Sequence, residues 1–192
     1  MPLPALAPLS VDEFLDWDSG DDRRYELIDG VPFAMAAPAR AHQILAASFA
    51  RRLGEALDER PPCTVGVEAA IAVVGRDDTC HVADLAVTCK PHEPGEQLTP
   101  EPVVIVEILS PSTENRDRKV KLPDYRAIPS VQEVVLLDSQ QLYCEVHRRI
   151  DGGGWLTELL RDPEARLRIK SVGLDQPLSA LYALVGLKTP DA

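Results

Sequence analysis

The sequence is poor in basic side chains, and this sets a first limit on its partners. Lysines and arginines number 20 against 31 aspartates and glutamates, so the 192-residue chain has a formal net charge of −11 at pH 7. A nucleic-acid backbone is bound mainly through Lys and Arg, which release its counterions. The net charge therefore argues against broad, nonspecific affinity for nucleic acid, and any contact with a polyanion must be local.

Long apolar runs and patterned cysteines are also missing. No run approaches the ~20 apolar residues that span a bilayer, and Met1-Pro2-Leu3-Pro4 does not resemble the start of a secretion signal. We therefore expect a cytoplasmic protein with no membrane partner. Because no Cys-x-x-Cys pair occurs, we predict small core residues, not a zinc site or a disulfide framework. The cysteines are Cys63, Cys80, Cys89 and Cys144.

Two acidic residues do stand out, because each lies inside an apolar run. Asp84 lies within Val82–Val87, and Glu107 lies within Val103–Leu109. Such runs predict buried strands, where an unpaired charge costs several kcal/mol. Buried acids are usually neutralised by a cation, a metal ion or a proton, so this pair predicts a functional site.

Hydrophobic periodicity and chain breakers predict a mixture of helices and strands. The apolar stripe of residues 41–60 predicts an amphipathic helix that Pro61-Pro62 ends. A second helix is predicted over 115–127, where Pro123 should break or bend it. Further helices are predicted at 10–17 and 178–187, and strands at 25–35 (two, around an Asp-Gly turn), 64–74, 81–89, 102–110, 132–138, 141–149, 155–160 and 167–172.

These elements predict an α/β (α+β) fold with a mixed central β-sheet flanked by helices. The nearly all-apolar strand at 102–110 suits a central position that is covered on both faces. No linker or repeat divides the chain, so we expect one domain over 10–187, with tails at 1–9 and 188–192.

A series of motifs in fixed order resembles one known family. In chain order they are Tyr25-Glu26-Leu27-Ile28-Asp29-Gly30, His42-Gln43, Asp84-Leu85-Ala86-Val87, Val106-Glu107-Ile108-Leu109-Ser110-Pro111-Ser112-Thr113, Asp117-Arg118, Lys121 and Tyr125. Together they resemble the Uma2 family of restriction-endonuclease-like proteins, which is assigned to the PD-(D/E)XK nuclease superfamily. The resemblance extends over roughly residues 10 to 187. It implies a restriction-endonuclease-like core with an added antiparallel strand region.

The resemblance implies a metal-dependent endonuclease. Asp84 and Glu107 would bind Mg²⁺ or Mn²⁺, helped by the backbone carbonyl of Ile108. Lys121, on the following helix, would orient or activate the attacking water and stabilise the transition state. Glu26 would be an additional catalytic acid near the site.

The resemblance also implies how the substrate is held. DNA would be gripped in a local groove, with His42 and Arg118 as substrate-binding residues. Because cutting both DNA strands generally requires two active centres, we expect a homodimer.

Three positions differ from the pattern of the family or its superfamily. Ala83 replaces the proline that usually precedes the first aspartate, and Leu109 stands where many nucleases of the superfamily have their lysine. In the Uma2 pattern the lysine comes from the next helix, where Lys121 stands. Pro123 could kink that helix and aim the lysine differently.

Structural alternatives compete with these roles. Glu107 could pair with a buried Arg or Lys, and Asp84 could cap a turn. Lys121 could form a surface pair with Asp117 along the helix. Glu26 could bind backbone amides around the Asp29-Gly30 turn.

The remaining polar residues have similar alternatives. His42 could be a helix-start residue, and Glu68 could be an edge-strand residue that faces water. The basic run 116–126 could be a solvated helix face. Three function classes remain: a metal-dependent endonuclease, a noncatalytic binding or regulatory module that retains the nuclease fold, and a structural protein with a buried ion-pair network.

Overall fold

A computed structural model describes residues 7–187, which are organised around an eight-stranded mixed sheet. Its strands are β1 (Tyr25–Ile28), β2 (Val31–Ala34), β3 (Thr64–Ala72), β4 (Cys80–Thr88), β5 (Pro102–Leu109), β6 (Glu133–Asp138), β7 (Cys144–Arg149) and β8 (Trp155–Leu160). The order is β2-β1-β4-β5-β6-β7-β8, with β3 also paired to β4. Only the β5–β6 pair is parallel. The predicted mixed central sheet is confirmed.

Short helices and a small hairpin complete the described chain. They are α1 (Val11–Leu15), α2 (Arg40–Leu57), α3 (Glu114–Arg116), a π-helical turn (Asp117–Lys121), α4 (Leu122–Ala127), the hairpin β9 (Arg166–Ile169) and β10 (Leu174–Pro177), and α5 (Leu178–Tyr182). None of the helices within residues 7–187 combines the length and apolarity needed to cross a membrane. Residues 1–6 of the predicted N-terminal tail, and the whole predicted tail 188–192, lie outside the described residues.

Helices cover the sheet on both faces, and each face has its own apolar core. On one face, the predicted stripe of α2 packs against the sheet together with α5; its buried members are Leu45, Phe49, Leu53 and Leu57. On the other face, Leu122 and Tyr125 of α4 pack over Ile105 and Leu136. The nearly all-apolar β5 lies between these cores, as expected for a central strand.

Pro123 does not end the helical segment as the sequence suggests. The chain stays helical from Glu114 to Ala127, and a π-helical turn ends at Lys121, two residues before the proline. Pro123 thus falls in the first turn of α4, where a missing amide is tolerated. We call residues 114–127 the lysine segment.

The cysteine prediction is half wrong. Cys63 and Cys89 form a disulfide, whereas Cys80 and Cys144 are buried thiols, as predicted. The β3–β4 ladder begins at Thr64 opposite Thr88, so the paired cysteines are the next opposite positions. Sequence spacing alone does not show this cross-strand proximity.

Other differences concern the ends of elements. The hairpin strand β10 was not anticipated, and the last helix stops at Tyr182 instead of continuing to residue 187. The capping box at Ser10 and Glu13 is present, and Asp29 and Gly30 adopt positive φ in the β1–β2 turn. Glu68 is exposed on β3, as expected of an acid that faces water.

Candidate active site

The candidate site lies at a gap along one edge of β4. Cys80 pairs with β3 on one side, so β1, which also pairs with Cys80, must lie on the opposite edge. From Leu85 onward, β5 pairs with this same edge of β4. Between these two contacts, the backbone of Val82 has no strand partner on that edge. Side chains bind it instead.

Two of those side chains are Glu26 and Lys121. The Glu26 carboxylate accepts a hydrogen bond from the Val82 amide at 3.1 Å, and the Lys121 ammonium donates to the Val82 carbonyl at 2.9 Å. Glu26 and Lys121 also contact each other, at 2.7 Å between Oε1 and Nζ. Both are almost fully buried, with exposures of 2% and 5%. Glu26 therefore binds a backbone amide, as its structural alternative had it, but this amide is that of Val82 and not one at the Asp29-Gly30 turn.

Lys121 is the centre of a buried ion cluster. Its Nζ lies 3.1 Å from Glu107 Oε1 and 3.8 Å from Asp117 Oδ1, in addition to the contact with Glu26. Arg116 forms an ion pair with the other oxygen of Glu26. The pair with Asp117 that was the structural alternative for Lys121 is present, but it is buried and not at the surface. Pro123 has not aimed Lys121 away from the acids.

Glu107 is held from one side by two donors. Tyr125, which is fully buried, donates its hydroxyl to Glu107 Oε1 at 2.6 Å, and Lys121 donates to the same oxygen. Among the hydrogen bonds of residues 7–187, none involves Glu107 Oε2. One oxygen of Glu107 is thus fixed, and the other is available to a ligand.

Asp84 lies beside Glu107 where the β4–β5 ladder ends. The last regular pair is Leu85 with Val106, so the next opposite positions are Asp84 and Glu107. Asp84 Oδ2 accepts the Ile108 amide at 2.6 Å, and His42 Nε2 lies 3.2 Å from Asp84 Oδ1. In a strand, the amide and carbonyl of one residue point to the same neighbour, so the Ile108 carbonyl also faces β4.

Burial and neighbouring charges shift the pKa values of the buried groups in the site. The pKa of Glu107 is raised to about 8, mainly by burial, with a further rise from the charges of Asp84 and Asp117 that Lys121 opposes. Burial likewise raises the pKa of Asp117. Burial alone would lower the pKa of Lys121, but the attraction of Glu107, Glu26 and Asp117 outweighs it, so the net shift is upward. Lys121 is therefore a permanent cation.

The cluster contains more acids than bases. Four carboxyl groups, those of Glu26, Asp84, Glu107 and Asp117, lie around two basic side chains, Lys121 and Arg116. Burial is the main cause of the raised pKa of Glu107, and the charges of Asp84 and Asp117 add to it. An added cation would counteract this rise, because it would favour the ionised form of Glu107.

The donor set fits a hard divalent cation that keeps part of its water shell. No three His, Cys, Asp or Glu side chains within residues 7–187 converge on a common point at metal-binding distance. Two carboxylates and one backbone carbonyl are nevertheless oxygen donors, and Mg²⁺ is typically bound through one or two carboxylates plus waters. Asp84, Glu107 and Ile108 could supply these donors.

The structure brings most of the predicted site residues together, but not Arg118. Lys121 contacts both Glu26 and Glu107. His42 lies against Asp84, whose carboxylate binds the amide of Ile108, the residue after Glu107. Arg118, on the same helical turn as Lys121, turns away and pairs with Glu114 and Glu145.

The sequence predicted no role in the site for three residues that lie in it: Arg116 belonged to a basic run, Asp117 to a motif and a possible surface pair with Lys121, and Tyr125 to a motif. Arg116 and Lys121 face the site, so the basic run is not simply a solvated helix face. The Asp117–Lys121 spacing of four residues was a signal for their contact, but not for its burial. For Tyr125 no separate signal was present, since a buried aromatic is ordinary in a helix.

Replacing Tyr125 by Phe is expected to destabilise the protein by about 1.5–3 kcal/mol. The change removes a buried hydrogen bond to a carboxylate and leaves the ring in place. Urea denaturation measures the difference in unfolding free energy. Tyr182→Phe is the matched control: it removes a buried hydroxyl that donates only to backbone carbonyls, on the opposite face of the sheet, and should cost less, about 0.5–1.5 kcal/mol. A loss below about 0.5 kcal/mol in Tyr125→Phe would show that the hydroxyl does not hold Glu107.

Comparisons with known proteins agree with the predicted resemblance. The family model Uma2, described as “Putative restriction endonuclease”, matches residues 11–178. An uncharacterized protein of Synechocystis sp. is 30% identical over 184 residues, which cover 94% of this chain and 93% of that protein.

A solved structure has the same fold. The crystal structure of a protein from Anabaena variabilis, titled a putative nuclease belonging to DUF820, superposes with a TM-score of 0.74 at 20% identity. The match covers 93% of this chain and 99% of that one. With the family model spanning most of its length, this chain belongs to the Uma2 family of restriction-endonuclease-like proteins.

Proposed function

We propose that this protein is a metal-dependent endonuclease that hydrolyses DNA phosphodiester bonds at the Asp84–Glu107 site. The observation that carries the proposal is the juxtaposition of these two strand carboxylates with a buried lysine, Lys121, at a gap in the sheet. Family membership supports the nuclease class. The excess of carboxyl groups over basic side chains in this cluster supports a requirement for an added cation.

Asp84 and Glu107, with the Ile108 carbonyl, would hold Mg²⁺ or Mn²⁺. Such an ion, when bound, neutralises charge on the scissile phosphate and lowers the pKa of an attacking water. The protein's own contribution is to keep the donors in place: the Ile108 amide fixes Asp84, and Tyr125 fixes Glu107.

Lys121 would act as a fixed positive charge. Because its pKa is raised by three neighbouring carboxylates, it stays protonated and is unsuited to removing a proton from water. A buried ammonium can instead orient the water and stabilise the extra negative charge of the pentavalent transition state. Glu26 would position Lys121, since it binds both the ammonium and the Val82 amide.

His42 is the remaining polar side chain close to Asp84. At 3.2 Å from Asp84 Oδ1, it could donate a hydrogen bond to that carboxylate or to a substrate phosphate. We propose the latter contact in the substrate complex. The homodimer, needed for cleavage of both strands, and the single domain over 10–187 are also part of the proposal.

The proposal predicts cleavage of supercoiled plasmid in Mg²⁺ or Mn²⁺ and none in EDTA. Glu107→Gln should abolish cleavage, because an amide cannot supply the anionic oxygen that a hard cation prefers. Gel electrophoresis of the nicked and linear products provides the measurement. Glu55→Gln, at an exposed acid on α2, is the matched control and should cleave at the unaltered rate.

Either of two results would overturn the proposal. Glu107→Gln could retain cleavage, which would place the activity elsewhere or in a contaminant. The unaltered protein could fail to bind Mg²⁺ or Mn²⁺ and fail to cut supercoiled, linear or single-stranded DNA. The second result would favour a noncatalytic module that retains the nuclease fold.

A further inference from the structure

We propose that DNA phosphates flanking the cleaved bond are bound by an arginine strip beside β7 and β8, formed by Arg118, Arg126, Arg149 and Arg161. The proposal rests on the proposed function, because it takes DNA to be the partner. It identifies where a chain with a net charge of −11 offers local positive charge to a polyanion.

The strip begins on the same sheet face as the candidate site. Glu107 pairs with Leu136, and Leu136 pairs with Glu145, so the three form one row across β5, β6 and β7. Neighbouring strands lie about 4.8 Å apart, which places the Glu145 backbone ~10 Å from that of Glu107. The lysine segment bridges the row: Lys121 contacts Glu107, and Arg118 contacts Glu145.

From this row the strip continues along β7. Alternate residues of a strand share one face, so His147 and Arg149 follow Glu145 at steps of about 6.6 Å. Arg126 of α4 reaches the next of these positions, with Nη2 2.6 Å from His147 Nδ1. Arg161 lies just beyond β8, against the ring of Tyr143.

Within residues 7–187, three of the four arginines form no ion pair, although the charge of Glu145 acts on Arg126 from a greater distance. Within the described residues, no carboxylate lies at ion-pair distance from Arg126, Arg149 or Arg161. On the opposite face of β7, Arg148 is different, because it contacts Glu133 and Glu158. In an acidic protein, adjacent arginines without carboxylate partners favour an external anion.

Aromatic rings hold these guanidinium groups without neutralising them. Arg149 lies 4.7 Å and Arg126 5.6 Å from the centre of the Trp155 ring, and Arg161 lies 5.0 Å from that of Tyr143. Such stacking restricts the side chain but leaves its net charge available. The planar guanidinium fork also matches phosphate geometry better than an ammonium does.

Arg149 has a structural role as well, which affects the choice of variants. It donates to the carbonyls of Arg126, Ile128 and Val131, at the C-terminal end of the lysine segment and the loop that follows. Replacing Arg149 would remove these three hydrogen bonds and disrupt the C-terminal end of the lysine segment. Arg161 and Arg126 are therefore the positions to change.

The test is DNA binding by the full-length protein at several salt concentrations. A fluorescein-labelled duplex is titrated in EDTA and in Ca²⁺, and anisotropy gives the slope of log K against log salt. Arg161→Ala and Arg126→Gln should each weaken binding about three- to tenfold and reduce the slope by about one. Arg161→Lys should retain most of the slope, because it keeps the charge.

Arg51→Ala is the control, since it removes the same charge from an exposed pair with Glu55 on α2. Equal weakening by Arg51→Ala would indicate a general effect of net charge and overturn the strip. If Arg161→Ala and Arg126→Gln bound DNA normally with unchanged salt slopes, the proposed role of the arginine strip would be wrong, and the proposed function would stand. Failure of the unaltered protein to bind DNA in either buffer would overturn both.

Discussion

Asp84→Asn is expected to reduce plasmid cleavage by about 10³-fold while changing the unfolding free energy by less than about 1 kcal/mol. Asn keeps an oxygen that can accept the Ile108 amide, so the contact between β4 and β5 survives. It loses the negative charge that a hard cation requires. A loss of about 4 kcal/mol of transition-state stabilisation corresponds to this change in rate.

The position of Asp84 makes this a clean test. Its side chain is 19% exposed, so the amide does not have to be accommodated in a closed core. By contrast, Glu107 is almost fully buried and touches both Lys121 and Tyr125, so its replacement affects stability as well. The effect of a substitution on metal binding is therefore easier to separate from its effect on stability at Asp84 than at Glu107.

Calorimetric titration with Mg²⁺ or Mn²⁺ is the second measurement for Asp84→Asn. The variant should bind the ion at least tenfold more weakly than the unaltered protein. Asp58→Asn, at the exposed end of α2, controls for the substitution and should behave like the unaltered protein. If Asp84→Asn kept metal-dependent cleavage within about threefold, the carboxylates would be a structural ion-pair network.

The buried acids were predictable from sequence because each interrupts an apolar run. An acid within Val103–Leu109 has no water-facing position on a central strand, and the structure indeed buries Glu107. Most strands and the stripe of α2 followed from periodicity for the same reason. The resemblance in motif order then identified the family, which the comparisons confirm.

The structural features that the sequence could not predict depend on contacts between elements far apart in the chain. The π-helical turn that precedes Pro123 has no local signature, and without it the direction of Lys121 was open. The disulfide follows from the register of β3 and β4, which spacing does not reveal. Similarly, the gap on β4 arises because β1 and β5 share one edge, so the binding of Val82 by Glu26 could not be foreseen.

Lys121→Met is expected to destabilise the protein by about 3–5 kcal/mol and to abolish cleavage. Methionine is close in shape to the lysine stem, so the core around it keeps its packing. The ammonium, however, contacts Glu26, Glu107 and Asp117, and its removal leaves Glu107 and Asp117 buried without a cation. Urea denaturation gives the loss in unfolding free energy, and cleavage is measured on the fraction that remains folded.

The pH dependence distinguishes this electrostatic loss from a packing defect. Burial raises the pKa of Glu107 and Asp117, and without Lys121 the folded-state pKa of both should lie still further above the unfolded value. A carboxyl group of this kind destabilises the folded state increasingly as the pH rises above its unfolded pKa. The deficit of Lys121→Met should therefore shrink as the pH falls from about 8 towards about 5.

A second variant completes the test of the cluster. Adding Glu107→Gln to Lys121→Met removes one of the uncompensated charges, so the double variant should recover part of the lost stability, by about 1–3 kcal/mol. Neither variant should regain cleavage, because both lack the fixed cation. A deficit below about 1 kcal/mol for Lys121→Met, independent of pH, would mean that the acids do not need the lysine. Lys121 would then contribute to the site only through catalysis.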